Sequence, residues 1–144
     1  MLEFLLILFE LYFPIFIYKN VNISPPFFLL LIILISFKYG NRSSIIISFF
    51  IGFIKDILIQ YSWFGFITLL TSAFAYILSY ILKLNDISIK YVLSLLLILF
   101  YFYFYYLFQF SGSFIFYLEL SLVRTLVTII SYFIIKLIFK RSFI

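Results

Sequence analysis

The chain has 144 residues, of which 67% are hydrophobic and only 10% are charged. Typical soluble chains are about 45–50% apolar and about 25% charged, so this composition predicts a chain that lies in a membrane. Cys and His are both absent, which excludes disulfides, thiol nucleophiles and Cys/His metal sites and gives no indication of a cofactor.

A membrane-crossing helix needs about 20 mainly apolar residues. The sequence predicts such spans at residues 2–18, 23–38, 43–61, 63–82, 91–108 and 114–135. The second begins near Pro25-Pro26, since proline is tolerated in the first helical turn. A cluster of turn formers at residues 109–113 separates the last two. We therefore expect a single all-α membrane domain over residues 1–144, a bundle of six transmembrane helices, with five spans as the alternative.

The positions of the basic residues predict the orientation, because short cytoplasmic loops carry an excess of Lys and Arg. With the N-terminus inside, the outer loops contain only Lys19, whereas the inner segments contain Lys38, Arg42, Lys83, Lys90, Lys136, Lys140 and Arg141. Both termini should then be cytoplasmic. The net charge of +5 reflects topology and does not indicate nucleic-acid binding, which needs a basic face in water.

Charged residues inside the predicted spans are the candidate functional residues, because an ionisable group in a membrane is costly. They are Glu10, Lys55, Asp56, Glu119 and Arg124. Three interpretations are open: the charges pair to fix helix packing, they line a proton or ion pathway, or they contact the helix of a partner protein.

Asp56 lies in the densest polar segment. Gly52 and Ser48 share its helical face at four-residue intervals, so another backbone could approach the carboxylate closely. From helical rise, Asp56 and Arg124 lie at similar depths in the third and sixth spans. We expect them to pair, with Gly52 allowing the approach and Glu10 as the competing partner of Arg124.

The remaining sequence contains no sign of catalysis. It has no nucleophile–base pair, no paired carboxylates and no phosphate-binding glycine loop, so we expect a protein that is not an enzyme. The aromatic run at residues 100–106 falls in the outer half of the fifth span, where aromatic belts contact lipid.

An ordered set of residues between Pro25 and Tyr80 resembles the family of rod shape-determining protein MreD. The set comprises Pro25, Arg42, Gly52, Asp56, Gly65 and the pair Ala75-Tyr76. In that family a proline opens a short span, a basic residue follows in the next loop, and a Gly-x-x-x-Asp helix leads to a glycine-led helix that ends in Ala-Tyr. Pro26 and Lys55 depart from the family pattern.

The resemblance implies a membrane scaffold or regulatory subunit of the bacterial cell-elongation complex, which synthesises side-wall peptidoglycan. Its implied partners are an MreC-like single-span protein, a RodA-type glycosyltransferase and a class B penicillin-binding transpeptidase, in the bacterial cytoplasmic membrane. The family fold is also similar to the substrate-binding subunits of energy-coupling-factor vitamin transporters. A small-molecule transporter subunit, which would need an outward cavity with convergent polar groups, is therefore the alternative function.

Overall fold

The computed structural model describes residues 6–7, 10, 16–19, 21–39, 41–59 and 64–138. In this part the chain is a helical protein whose five helices are α1 (Phe27–Tyr39), α2 (Asn41–Ile59), α3 (Phe66–Ile81), α4 (Ile87–Gln109) and α5 (Phe114–Ile138). Two short strands, β1 (Phe16–Tyr18) and β2 (Val21–Ile23), form an antiparallel hairpin before α1. The backbone is also helical at Leu6, Ile7 and Glu10.

The two longest helices carry the membrane character of the chain. Helix α4 and the stretch 114–137 of α5 are both long and apolar enough to cross a membrane. Helices α1 and α3 are apolar but shorter, and α2, with 19 residues, carries Arg42, Lys55 and Asp56. Length and composition therefore indicate membrane association, most directly through α4 and α5.

The hairpin corrects the boundary between the first two predicted spans. Residues 16–18, assigned to the first span, form β1, and residue 23, assigned to the second, ends β2. The helix then begins only at Phe27, because the two prolines before it remove backbone donors that a continuing strand or helix would need. Helix α4 also begins earlier than residue 91, since the Asp86 side chain accepts from the amides of Ser88 and Ile89 and caps its start.

Helix α1 lies in the interior of the molecule. All but one of its residues from Phe27 to Ser36 are buried, as expected for a helix that is apolar on every side. Its 13 residues span about 20 Å and the 19 of α2 about 28 Å at 1.5 Å per residue. Lys55, about one turn before the end of α2, lies over the Phe28 ring in the first turn of α1, so the two helices run antiparallel.

Ring contacts show that successive helices run antiparallel. Phe66 and Phe74 of α3 stack on Phe108 and Tyr101 of α4, with ring centroids 4.2 and 5.3 Å apart respectively. The turn into α5 is closed by one hydroxyl: Tyr117 donates to the Phe110 carbonyl at 2.6 Å and accepts from the Gly112 amide. The turn-forming residues at 109–113 thus separate α4 from α5.

An ion pair ties the hairpin to α5 and locates Glu119. Lys19, at the hairpin turn with a φ of 47°, donates to the Glu119 carboxylate, and both side chains are about half exposed. This hydrogen bond raises the pKa of the Lys19 ammonium. The ion pair places Glu119 at the hairpin end of the molecule. The ion pair also places the turn before α1 and the turn before α5 at the same end of the molecule.

We expect the hairpin to lie outside the membrane and the end of α3 to lie on the opposite side. The chain allows a direct test, because it contains no Cys and single-cysteine variants need no other change. Ile17 in β1 is 74% exposed and Lys83 follows α3 on the opposite side. In intact cells a membrane-impermeant maleimide should label Ile17→Cys, and it should label Lys83→Cys only after permeabilisation. Equal labelling of both variants in intact cells would contradict the arrangement.

Candidate functional site: a charge cluster between the helices

Four of the five candidate charges lie close together within the helices. Glu10, Lys55, Asp56 and Arg124 are all largely buried, and their formal charges sum to zero. Tyr101 lies within electrostatic range of Glu10, Asp56 and Arg124. Glu119 is separate, at the hairpin. The structure therefore gathers into one cluster residues that are far apart in sequence.

Asp56 caps the start of α3. Its carboxylate accepts from the backbone amides of Ile67 at 3.1 Å and Thr68 at 2.9 Å, and also from the Thr68 hydroxyl. The first amides of a helix have no partner within the helix, and the residue at the cap position, Gly65, has no side chain to supply one. Asp56 of α2 thus acts as the N-terminal cap of α3, a role that a Ser or Asp next to the helix usually has. Its negative charge faces the positive end of the helix dipole.

Gly52 lets α2 and α3 approach closely enough for this cap. A Cβ at Gly52 would lie 2.2 Å from the Thr71 hydroxyl oxygen and 2.6 Å from the Thr68 Cα, so no larger residue fits without moving α3. One turn earlier, the Ser48 carbonyl accepts from Thr71 Oγ1 at 3.2 Å. Close backbone contact with polar links between helices is the packing that stabilises helices in lipid, where burial of apolar surface gives little.

Glu10 performs the same role for α1. Its Oε2 accepts from the Phe28 amide at 3.2 Å, which is among the first amides of α1. Its Oε1 lies 2.8 Å from Lys55 Nζ, and that ammonium is 4.9 Å from the centroid of the Phe28 ring. Glu10 and Lys55 therefore neutralise each other at the buried start of α1, which would otherwise present an unpaired donor.

Arg124 is held by aromatic groups. Its Nη1 donates to the Tyr106 hydroxyl at 3.0 Å, and its Cζ lies 5.3, 5.6 and 5.9 Å from the ring centroids of Phe102, Tyr105 and Tyr106. Its Nε is buried with no hydrogen-bond partner. Within the described residues no carboxylate forms a salt bridge with Arg124, although Glu10 lies within electrostatic range.

These contacts show that the expected pairing of Asp56 with Arg124 is wrong. Gly52 does provide a close approach beside Asp56, but the helix that approaches is α3 and not α5. Glu10, the expected competitor for Arg124, forms its salt bridge with Lys55. The reason is that backbone amides at a buried helix start compete for carboxylates as effectively as a cationic side chain does.

The remaining residues of the ordered set have mainly local roles. Gly65 adopts a φ of 91° at the start of α3, a conformation that favours glycine. Pro25 is buried and its carbonyl accepts from the Phe27 amide at 2.9 Å. Arg42 is exposed at the start of α2. Tyr76 is 50% exposed and its hydroxyl donates to that of Tyr80 at 3.2 Å.

Sequence reasoning missed three residues of this site: Thr68, Thr71 and Tyr106. The two threonines contact the stripe of Ser48, Gly52 and Asp56 from α3, and their spacing on one face of an apolar helix was the available signal. Tyr106 lies in the aromatic run expected to contact lipid. Phe100 and Phe104 of that run are 54% and 44% exposed, whereas Tyr101, Phe102 and Tyr106 are buried within the protein.

The cluster has the properties of a packing device. Its two carboxylates each cap a helix, and its lysine neutralises one of them. No group of three or more His, Cys, Asp or Glu side chains in the described residues could hold a metal ion. Among the buried side-chain nitrogen and oxygen atoms of the described residues, the Nε of Arg124 is the one without a hydrogen-bond partner.

Comparison with known proteins identifies no family for the chain. No family model, curated protein or solved structure matches the chain.

The close contact at Gly52 predicts a steep cost for even one added methyl group. Gly52→Ala should destabilise the protein by roughly 1–3 kcal/mol or more, because overpacking must move the α3 backbone. Gly112→Ala is the matched control: its Cβ would lie 3.0 Å from the edge of the Phe116 ring, which can rotate away, and at ordinary contact distance, 3.5 Å, from the Tyr117 ring. Thermal unfolding in detergent measures both, and equal melting temperatures would contradict the close packing of α2 on α3.

The capping role of Asp56 predicts a specific pattern of double mutants. Asp56→Leu leaves two buried amides without acceptors, so a loss of roughly 2–6 kcal/mol is expected at about 1–3 kcal/mol for each unsatisfied group. Adding Arg124→Leu should not restore it, because the two side chains are not paired. Asp86→Ala, which removes an exposed local cap from α4, should cost only about 1 kcal/mol. Rescue of Asp56→Leu by Arg124→Leu would refute the assignment.

Proposed function

We propose that this protein is a non-enzymatic membrane scaffold or regulatory subunit of the bacterial cell-elongation complex, related in function to MreD. In this proposal it is a six-span bundle in the cytoplasmic membrane with both termini in the cytoplasm. Its partners are an MreC-like single-span protein and, through the complex, a RodA-type glycosyltransferase and a class B penicillin-binding transpeptidase.

The observation that carries the proposal is the use of the buried charges within the chain. Asp56 is occupied by the start of α3, and Glu10 by Lys55 and the start of α1. Charges that are consumed in this way hold helices together and are not available to a substrate. Three of the four buried charges, Glu10, Lys55 and Asp56, are thus committed to packing. A chain built in this way acts through its helix surfaces and its short loops, which suits a scaffold.

The ordered residues support the more specific part of the proposal. Gly52 and Asp56 of the Gly-x-x-x-Asp pattern meet the glycine-led helix that the resemblance places next to them. The ion pair between the hairpin and α5 agrees with outer positions for both turns, as the six-span topology requires. The proposed localisation and termini depend on this topology together with the inner excess of Lys and Arg.

The transporter-subunit alternative makes a different demand on the same cluster. A substrate site needs polar groups that converge on a cavity, with acceptors and donors left for the ligand. Here both buried carboxylates are already satisfied within the chain, which favours the scaffold.

Depletion in the host separates the two functions. Loss of a scaffold should turn elongated cells round or bulging, measured as cell width over several generations, and expression of the wild-type chain should reverse it. The protein should also co-purify with an MreC-like single-span partner. Gly52→Leu should neither restore cell shape nor co-purify with this partner, whereas Gly112→Ala should do both. Normal cell shape together with lost uptake of one vitamin would instead support the transporter.

A further inference from the structure

The Arg124 site is rich in hydrogen-bond donors and short of acceptors. The guanidinium has five N–H donors; within the described residues one is used on the Tyr106 hydroxyl, and the buried Nε has no partner. That hydroxyl and the hydroxyl of Tyr105 each accept a hydrogen bond, Tyr105 from Gln109 Nε2 at 3.0 Å, and neither donates one to another described residue. Arg124 is only 8% exposed, so water satisfies few of these groups.

The charge of this site is also unbalanced locally. Glu10 faces Arg124 only at a distance while it contacts Lys55, and Asp56 is directed at the start of α3. The three aromatic rings around the guanidinium offer their faces, which attract a cation but provide no acceptor for its remaining N–H groups. A buried charge with unused donors is costly, and an anion would remove that cost.

The depth of the site indicates which anion can reach it. Side chains on a helix point toward its N-terminus, so Arg124 extends toward the start of α5, the end of the molecule that carries the hairpin. The guanidinium lies over the rings of Phe102, Tyr105 and Tyr106, which stand three to seven residues, about 4.5–10.5 Å, before the last residue of α4. Gln109, that last residue, continues the donor strip through Tyr105 to the helix end. The site is therefore one to two helical turns from the end of the α4–α5 pair. With both helices across a membrane, a phospholipid headgroup at that end is within reach of the guanidinium.

We propose that Arg124, Tyr105 and Tyr106 bind the phosphate of an outer-leaflet phospholipid at the outer end of the α4–α5 pair. Arg recognises phosphate through two parallel hydrogen bonds, and the tyrosine hydroxyls supply further donors to the other phosphate oxygens. Phe102 forms the floor of the site beneath the guanidinium. Phosphate binding does not depend on the proposed function, because any membrane role of the chain is compatible with it, whereas the choice of the outer leaflet rests on the topology proposed there.

Binding of a short-chain lipid to the full-length chain tests the proposal. Dihexanoyl phosphatidylglycerol, added below its micelle concentration to delipidated protein, should bind with a stoichiometry of one by native mass spectrometry, and dihexanoylglycerol, which lacks the phosphate, should not. Arg124→Gln should weaken the lipid about tenfold, equivalent to about 1.4 kcal/mol, and Tyr105→Phe by several-fold. Arg42→Gln removes the same charge from an exposed position on α2 and should leave the Kd unchanged.

Several results would overturn the proposal. Equal weakening by Arg42→Gln would mean diffuse attraction, and equally tight binding of inorganic phosphate would identify a soluble anion as the ligand. Loss of a co-purifying carboxylate-bearing transmembrane helix in Arg124→Gln, with no lipid bound to the wild type, would assign the site to a protein partner. If Arg124→Gln does not fold, Tyr105→Phe decides, since it removes only a hydroxyl, and wild-type affinity in that variant would refute the site.

Discussion

The carboxylate of Asp56 at the start of α3 is the interaction on which the helix packing depends. A helix that begins inside a protein within a membrane must find acceptors for its first amides, because no water is there to supply them. Gly65 gives the chain the turn that α3 needs but no acceptor. Asp56 supplies it from α2, and Gly52 allows the two backbones to come close enough. Capping and close packing are thus one device, and loss of either residue disrupts both.

The sequence predicts the members of this contact better than their partner. Four-residue spacing placed Ser48, Gly52 and Asp56 on one face, and all three are buried against α3. The partner was assigned to Arg124 because side-chain charge is visible in a sequence and depth can be estimated from helical rise. Every residue except proline has a backbone N–H, so the sequence does not show which N–H groups need an acceptor from another helix. The charges in a sequence therefore identify the residues that are unfavourable to bury, but they do not identify the hydrogen-bond partners of those residues.

The hairpin escaped the sequence for a different reason. Strands β1 and β2 have three residues each, and such short apolar runs cannot be distinguished from the ends of neighbouring helices by periodicity. Pro25 and Pro26 indicated where the next helix begins but not what precedes it. The pairing of Lys19 with Glu119 depends on that hairpin, so the position of Glu119 at the hairpin end of the molecule was equally hidden. Helices α4 and α5, by contrast, are separated by the cluster of turn formers that the sequence displays.

The four buried charges divide according to how completely the chain satisfies them. Glu10, Lys55 and Asp56 have charged or backbone partners within the chain, and replacing one of them is expected to act through stability. Arg124 has aromatic neighbours and one hydroxyl acceptor among the described residues. Its substitution by an apolar residue therefore removes the free-energy cost of burying a charge as well as these contacts. A buried cation that lacks a carboxylate partner contributes little to packing, because an apolar side chain of similar volume often fills such a site at least as well. The position of Arg124 within two helical turns of the end of α4, beside unused tyrosine donors, suits the phosphate of a lipid headgroup at that end.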